Sequence, residues 1–154
     1  MIRLENILTP GRTQTGAPGG SKAAVLERIA ELAAQELPGH DAAHIHECLM
    51  ARERLGSTGF GNGIAIPHCR LAGLQQPLCV LFHLQQPVDF DSLDGAPVDL
   101  VFVLLVPEAA TEQHLTLLRQ IAGILDRADI RERLRKAKDS QALYQIVVEA
   151  QSGH

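Results

Sequence analysis

Arg52-Glu53-Arg54-Leu55-Gly56-Ser57-Thr58-Gly59-Phe60-Gly61-Asn62-Gly63-Ile64-Ala65-Ile66-Pro67-His68 is the stretch around which this chain is organised. Four glycines fall within the eight residues 56–63, so the backbone can take angles closed to other residues and turn several amide N–H groups toward one small anion. Ile64-Ala65-Ile66 places β-branched residues at alternate positions, which suits a short buried strand. Pro67 cannot extend that strand with an ordinary ladder bond. The spacing predicts a phosphate cradle running into a strand that presents His68 at its end. An imidazole with the ordinary pKa of about 6.5 is about three-quarters neutral at pH 7, hence available as a nucleophile without a separate base. Cradle and neutral histidine together point to phosphoryl transfer, which needs mainly positioning and electrostatic stabilisation. A surface turn followed by an ordinary histidine is the simpler reading of the same residues.

The block, seventeen residues without a break, closely resembles the phosphorylation-site signature of the IIA proteins of the bacterial phosphotransferase system, in the fructose/mannitol class. Gly56-Ser57-Thr58-Gly59 and Gly61-Asn62-Gly63-Ile64-Ala65-Ile66-Pro67-His68 look most like the nitrogen-regulatory branch of that class, and the resemblance runs from about Leu4 to Glu149. It implies that His68 accepts a phosphoryl group on Nε2 from the phosphohistidine of the carrier HPr or a nitrogen-branch homologue. It implies a second active-site histidine at His114, within Glu112-Gln113-His114-Leu115, and a phosphate-pairing guanidinium at Arg52, just before the glycines. It further implies regulatory partners, such as kinases or potassium transporters, whose binding follows the phosphorylation state. The alternatives are a sugar-specific IIA subunit, needing separate transport subunits because no transport portion is fused here, and a binding module that never carries phosphate.

Read as residues alone, His114 is equally an ordinary first-turn histidine and Arg52 equally an exposed helix-end cation. Gly59, Gly61 and Gly63 are the expected cradle backbone, while Ser57, Thr58 and Asn62 either donate to phosphate or shape the turn, with shaping favoured for Asn62. Cys69 stands where the family often carries a small residue such as glycine, and its oxidation is expected to disturb phosphorylation. No G-x-S-x-G or H-E-x-x-H pattern supports a hydrolase, and the glycine spacing fits neither a Walker nor a dinucleotide fingerprint. His40, His44, His46 and Cys48 are read as a solvated helix start, because His44 and His46 point to different sides of a helix. No metal or cofactor is expected.

Composition narrows the classes further. With 154 residues, 45% hydrophobic and 21% charged, the chain suits a single domain over 1–154. A net charge of −4, no Trp and one Tyr supply neither a basic stripe nor a stacking platform for nucleic acid. No apolar run is long enough for a membrane span, and Met1-Ile2-Arg3-Leu4-Glu5-Asn6 does not read as a signal peptide. Three cysteines without C-x-x-C spacing suit reduced thiols and a cytoplasmic setting.

Leu4, Ile7 and Leu8 are expected to pack as a short turn, and residues 9–20, rich in Gly and Pro, read as loop where the family usually has a strand. Ser21 is expected to cap a helix to Glu36, and Asp41 a second carrying Ile45, Cys48 and Leu49 inward. The continuous apolar runs Leu78–Leu84 and Leu100–Val106 read as strands covered on both faces. Between them Asp94-Gly95 reads as a turn, since the calcium-loop pattern fails at Leu100. Thr111 is expected to cap a helix with Leu115, Leu118, Ile121, Ala122 and Leu125 on one stripe. Two more helices, 129–138 and 139–151, would turn Ile130, Leu134, Leu143, Ile146 and Val147 inward, with Arg131, Arg133, Arg135, Lys136 and Lys138 solvated. The predicted fold is one α/β domain, a mixed parallel and antiparallel sheet flanked by helices on both sides, as the resemblance also implies.

Overall fold

A strand that is apolar at every position needs cover on both faces, and that requirement sets the architecture. In the computed structural model, which describes residues 3–109 and 111–152, the chain runs as β1 (Thr13–Ala17), α1 (Lys22–Ala34), α2 (Ala42–Arg54), β2 (Gly59–Gly61), β3 (Ile64–Ala65), β4 (His68–Leu71), β5 (Leu78–Val88), β6 (Val98–Pro107), α3 (Thr111–Leu125), α4 (Ala128–Lys136) and α5 (Ser140–Ser152). Short 3-10 turns sit at Leu4–Asn6 and Pro10–Arg12. The two apolar runs form β5 and β6, antiparallel to one another at the middle of a six-stranded sheet. β1 lies parallel to β5, while β3 and then β4 lie parallel along the other flank of β6 and β2 closes that side.

Side chains along a strand alternate in direction, so β6 feeds two cores. Val101, Val103 and Leu105 pack with Val25, Ile29, Ile45 and Leu49 from α1 and α2. Leu100, Phe102, Leu104 and Val106 pack with Leu117, Ile121, Ile130, Leu134, Leu143 and Val147 from α3, α4 and α5, joined by Leu4, Ile7 and Leu8. The predicted mixed sheet with helices on both sides is therefore the fold adopted. The caps predicted at Ser21 and Asp41 are made. Ser21 Oγ accepts from the Ala24 amide at 3.1 Å and Asp41 Oδ1 from the His44 amide at 2.7 Å, each satisfying an N–H that the helix leaves unpaired.

Four expectations are corrected. Residues 13–17, read as loop, form β1, which lacks an apolar alternation and is held by backbone pairing to β5 and by reciprocal bonds with α5. Thr13 Oγ1 donates to the Ser140 carbonyl at 2.9 Å, and Ser140 Oγ to the Thr13 carbonyl at 2.7 Å. His68 does not end the Ile64 strand. Ile66-Pro67 interrupts the edge, and His68 opens β4, in register with Leu104. The stripe of α3 is turned by one place, with Leu117, Ile121, Ile124 and Leu125 inward beside His114, while Leu115 is 53% exposed. Arg135 leaves the solvated face of α4 and grips Asp99 through Nε at 2.9 Å and Nη2 at 2.8 Å. The side chain of Thr111, and the capping role expected of it, lie outside the described residues.

Candidate functional site

His68 pairs with Leu104 in parallel register, so its side chain leaves the sheet on the face that Leu104 shares with α3. The first turn of α3 brings His114 there. The two imidazoles meet edge to face, ring centroids 5.3 Å apart and planes at 81°. His68 Nδ1 lies 2.8 Å from the Ile66 carbonyl oxygen. A carbonyl only accepts, so the proton sits on Nδ1, and in the neutral ring the Nε2 lone pair is left for chemistry. Pro67 fixes the chain between these two residues.

Burial favours the neutral ring. Burial pulls the His68 pKa below its ordinary value, opposed by the Ile66 bond, aided by the Arg52 cation and opposed again by the Glu53 carboxylate. His114, itself 8% exposed, is depressed by burial and then by the charges of His68, Arg70 and Arg52. The charges of two guanidiniums therefore reach the imidazole pair, and the second, Arg70 on β4, the sequence reading did not single out. Arg52 at the end of α2 donates Nη1 to the Gly56 carbonyl at 2.9 Å, which holds the cation beside the glycine block. Nδ1 of His114 is buried without a hydrogen-bond partner.

The glycine block divides into two functions. Asn62 and Gly63 carry φ of 57° and 78° and form the two-residue turn of the β2–β3 hairpin, the conformation that Asn-Gly favours. The Asn62 amide donates to Asp94 Oδ2 at 3.1 Å, and its carbonyl accepts from Arg135 Nη2 at 2.7 Å. A Cβ on Gly63 would stand 2.8 Å from Asp99 Oδ1 and 2.5 Å from Arg135 Nη2. Gly61, Asn62 and Gly63 thus shape a hairpin whose tip is clamped by Asp94, Asp99 and Arg135. Gly59 makes room for the 90–94 loop, since a Cβ there would lie 2.2 Å from Ser92 Oγ. The hydroxyls of Ser57 and Thr58 turn inward, to the Phe90 carbonyl and the Glu53 carboxylate respectively. Glu53, buried at the end of α2, was also missed. Its signal was present, because Ile45, Leu49 and Glu53 recur every four residues and place a carboxylate on the apolar stripe.

Cys69 points to the opposite face from His68 and lies against Cys48, whose thiol donates to the Arg70 carbonyl at 3.2 Å. The bond with Cys48 and burial push the Cys69 thiol well above the ordinary range, which leaves little thiolate to oxidise. His40 and His46 turn to separate backbone carbonyls, those of Ala72 at 2.9 Å and Ala23 at 3.1 Å. Among the described residues no group of three or more His, Cys, Asp or Glu is arranged to hold a metal, and no helix is long and apolar enough to cross a membrane.

The site thus holds a histidine of fixed tautomer edge to face with a second imidazole, with the charges of Arg52 and Arg70 acting on the pair. Residues 6–150 match the family described as the phosphoenolpyruvate-dependent sugar phosphotransferase system, EIIA 2, and the chain belongs to that family. Within it, the chain is 70% identical over 153 residues to the nitrogen regulatory protein of Pseudomonas aeruginosa, covering 99% of each. It is 39% identical over 151 residues to the Escherichia coli protein of the same name, covering 97% of this chain and 92% of that one. The crystal structure of nitrogen regulatory protein IIA-Ntr from Neisseria meningitidis superposes with a TM-score of 0.88 at 39% identity, over 94% of this chain and 98% of that one. IIA mannitol from E. coli, at 18% identity and a TM-score of 0.69 over 96% and 99% of the two chains, shares the fold.

Proposed function

We propose that this protein is a phosphocarrier regulator that accepts a phosphoryl group on Nε2 of His68 and signals through its phosphorylation state. The observation that carries the reading is the Nδ1 bond to the Ile66 carbonyl, which leaves Nε2 as the only ring nitrogen free to attack. The family implies a donor of the HPr branch, a small protein carrying phosphohistidine. The donor's N–P bond breaks as the new bond to Nε2 forms, the donor imidazole leaves with the electron pair of the broken bond, and the His68 ring, which keeps its Nδ1 proton on the Ile66 carbonyl, becomes a cation beside the negative phosphoryl oxygens. Arg52 and His114 supply the cation and N–H that stabilise the three phosphoryl oxygens, and Arg70 adds a second positive charge. Similarity to nitrogen regulatory proteins supports regulation over sugar delivery. Phosphorylation adds roughly −1.5 to −2 charge beside Arg52 and Arg70 and thereby changes which partner surfaces fit.

Incubation with phosphoenolpyruvate, enzyme I and HPr tests the reading by intact mass. The wild-type chain is expected to gain one phosphate and His68→Ala none. An unmodified wild type, or a His68→Ala chain that still gains phosphate, would overturn it.

A further inference from the structure

Behind His68 runs an unbroken series of hydrogen bonds that begins at the one buried carboxylate of α2. The Thr58 amide reaches Glu53 Oε1 at 3.3 Å and Oε2 at 3.2 Å, and the Thr58 hydroxyl also donates to Oε1. The Ile66 amide donates to the Thr58 carbonyl at 3.0 Å. The Ile66 carbonyl accepts Nδ1–H of His68 at 2.8 Å. Glu53 is 7% exposed and Thr58 equally so, with Lys22 Nζ 3.8 Å from Glu53 Oε2 as the countercharge. A buried carboxylate is costly to keep unless its oxygens are used, and here both are used on a single residue of the glycine block.

We propose that Glu53 is a positioning residue for His68, acting through Thr58 and Ile66 to fix the tautomer and direction of the imidazole; this rests on His68 being the phosphoacceptor. The link through Thr58 is what makes the device specific. Its amide and hydroxyl bind Glu53 from one side of the residue while its carbonyl receives Ile66 from the other. The helix end thereby sets the height of the Ile66 carbonyl above which the ring must stand. A ring pinned only by its own strand would keep its place when α2 loses the carboxylate. Glu53 itself touches no reacting atom.

The test compares wild type with Glu53→Ala, Glu53→Gln and Thr58→Val. One readout is the His68 tautomer from ¹⁵N chemical shifts in the unphosphorylated protein. The other is the initial rate of phosphate uptake from phosphorylated HPr. Glu53→Ala is expected to mix the two neutral tautomers and to slow uptake by about tenfold to a hundredfold, as loss of an orienting partner does elsewhere. Glu53→Gln keeps one acceptor oxygen for Thr58 and should recover most of both. Thr58→Val, which leaves the carboxylate and the Ile66 bond in place, should fall between them and decides the matter if the alanine variant does not fold. A pure Nδ1–H tautomer with wild-type uptake in folded Glu53→Ala or Thr58→Val would overturn the proposal. If even wild type takes no phosphate, the phosphocarrier reading fails while the tautomer readout still decides whether Glu53 sets the ring.

Discussion

His68 and His83 sit on neighbouring parts of one sheet and are held in opposite ways. His68 gives its Nδ1 to a neutral carbonyl and stands edge to face with His114, within the field of Arg52. His83 on β5 places its Nε2 3.3 Å from Asp99, a carboxylate already gripped by Arg135, with the hairpin carbonyl of Asn62 on the same guanidinium. One ring is anchored so that its outer nitrogen stays available, and the other spends that nitrogen on structure. The difference lies in which nitrogen is left over and what charge surrounds it.

The largest expected effect separates the two directly. His68→Ala should abolish phosphate uptake and leave the thermal midpoint near that of wild type. His83→Ala should keep uptake, because its partners lie on the hairpin clamp. Equal loss in both variants, read by intact mass, would show that the two regions are not independent.

Next in size is the clamp itself. Arg135→Ala leaves the part-buried Asp99 with His83 alone and frees the Asn62 carbonyl, for which a loss of about 2 kcal/mol is expected in denaturant unfolding. Gly63→Ala strains a positive φ and drives a methyl into the Asp99–Arg135 pair, at an expected cost of about 1–3 kcal/mol. Both variants should still accept phosphate once folded. A loss of uptake in step with stability would tie the hairpin tip to the chemistry after all.

Much of this molecule was legible in its residues, and the gaps have physical causes. The runs through β5 and β6 announced a sheet covered on both faces, since no other arrangement buries every side chain of such a strand. Ser21 and Asp41 announced helix starts through their local chemistry. β1 was hidden because Thr13-Gln14-Thr15-Gly16-Ala17 owes its place to bonds from Leu81, Phe82 and Ser140, far along the chain. The glycine block was legible as a turn, but not as a hairpin clamped at its tip. Asn62-Gly63 is a hairpin signal, yet only the fold shows Asp94 and Asp99 waiting at its tip. Leu115 looked inward by spacing, and His114 took that place because α3 starts where the neighbouring imidazole stands.

The smallest expected effect is on pH dependence, and it sharpens the same contrast. Burial lowers the folded-state pKa values of His68 and His114, so on acidification the unfolded chain binds protons first. Their contribution to stability is complete above the unfolded value of about 6.5 and is lost as pH falls through the lower folded values. The Asp99 carboxyl is also held below its ordinary value, burial opposing and the bonds from His83 and Arg135 prevailing. Its contribution is therefore lost at lower pH, below about 3.9. His114→Gln should flatten the first acid limb of urea-unfolding stability and leave the second intact. An unchanged first limb would show that the imidazole pair is not resisting protonation.

The bonds between Thr13 and Ser140 bear on how the chain is made. Leu4 donates its amide to Gln151 Oε1 at 2.8 Å, and Tyr144 reaches the Glu5 carbonyl at 3.2 Å, so residues near the two ends of the sequence are knotted into one corner. During synthesis, which proceeds at about 5–20 residues per second, β1 has no neighbour until β5 follows and no second clasp until α5 leaves the ribosome. β1 is thus completed only when α5 arrives, and a nascent chain halted before Ser140 should leave β1 more open to protease than the whole chain does.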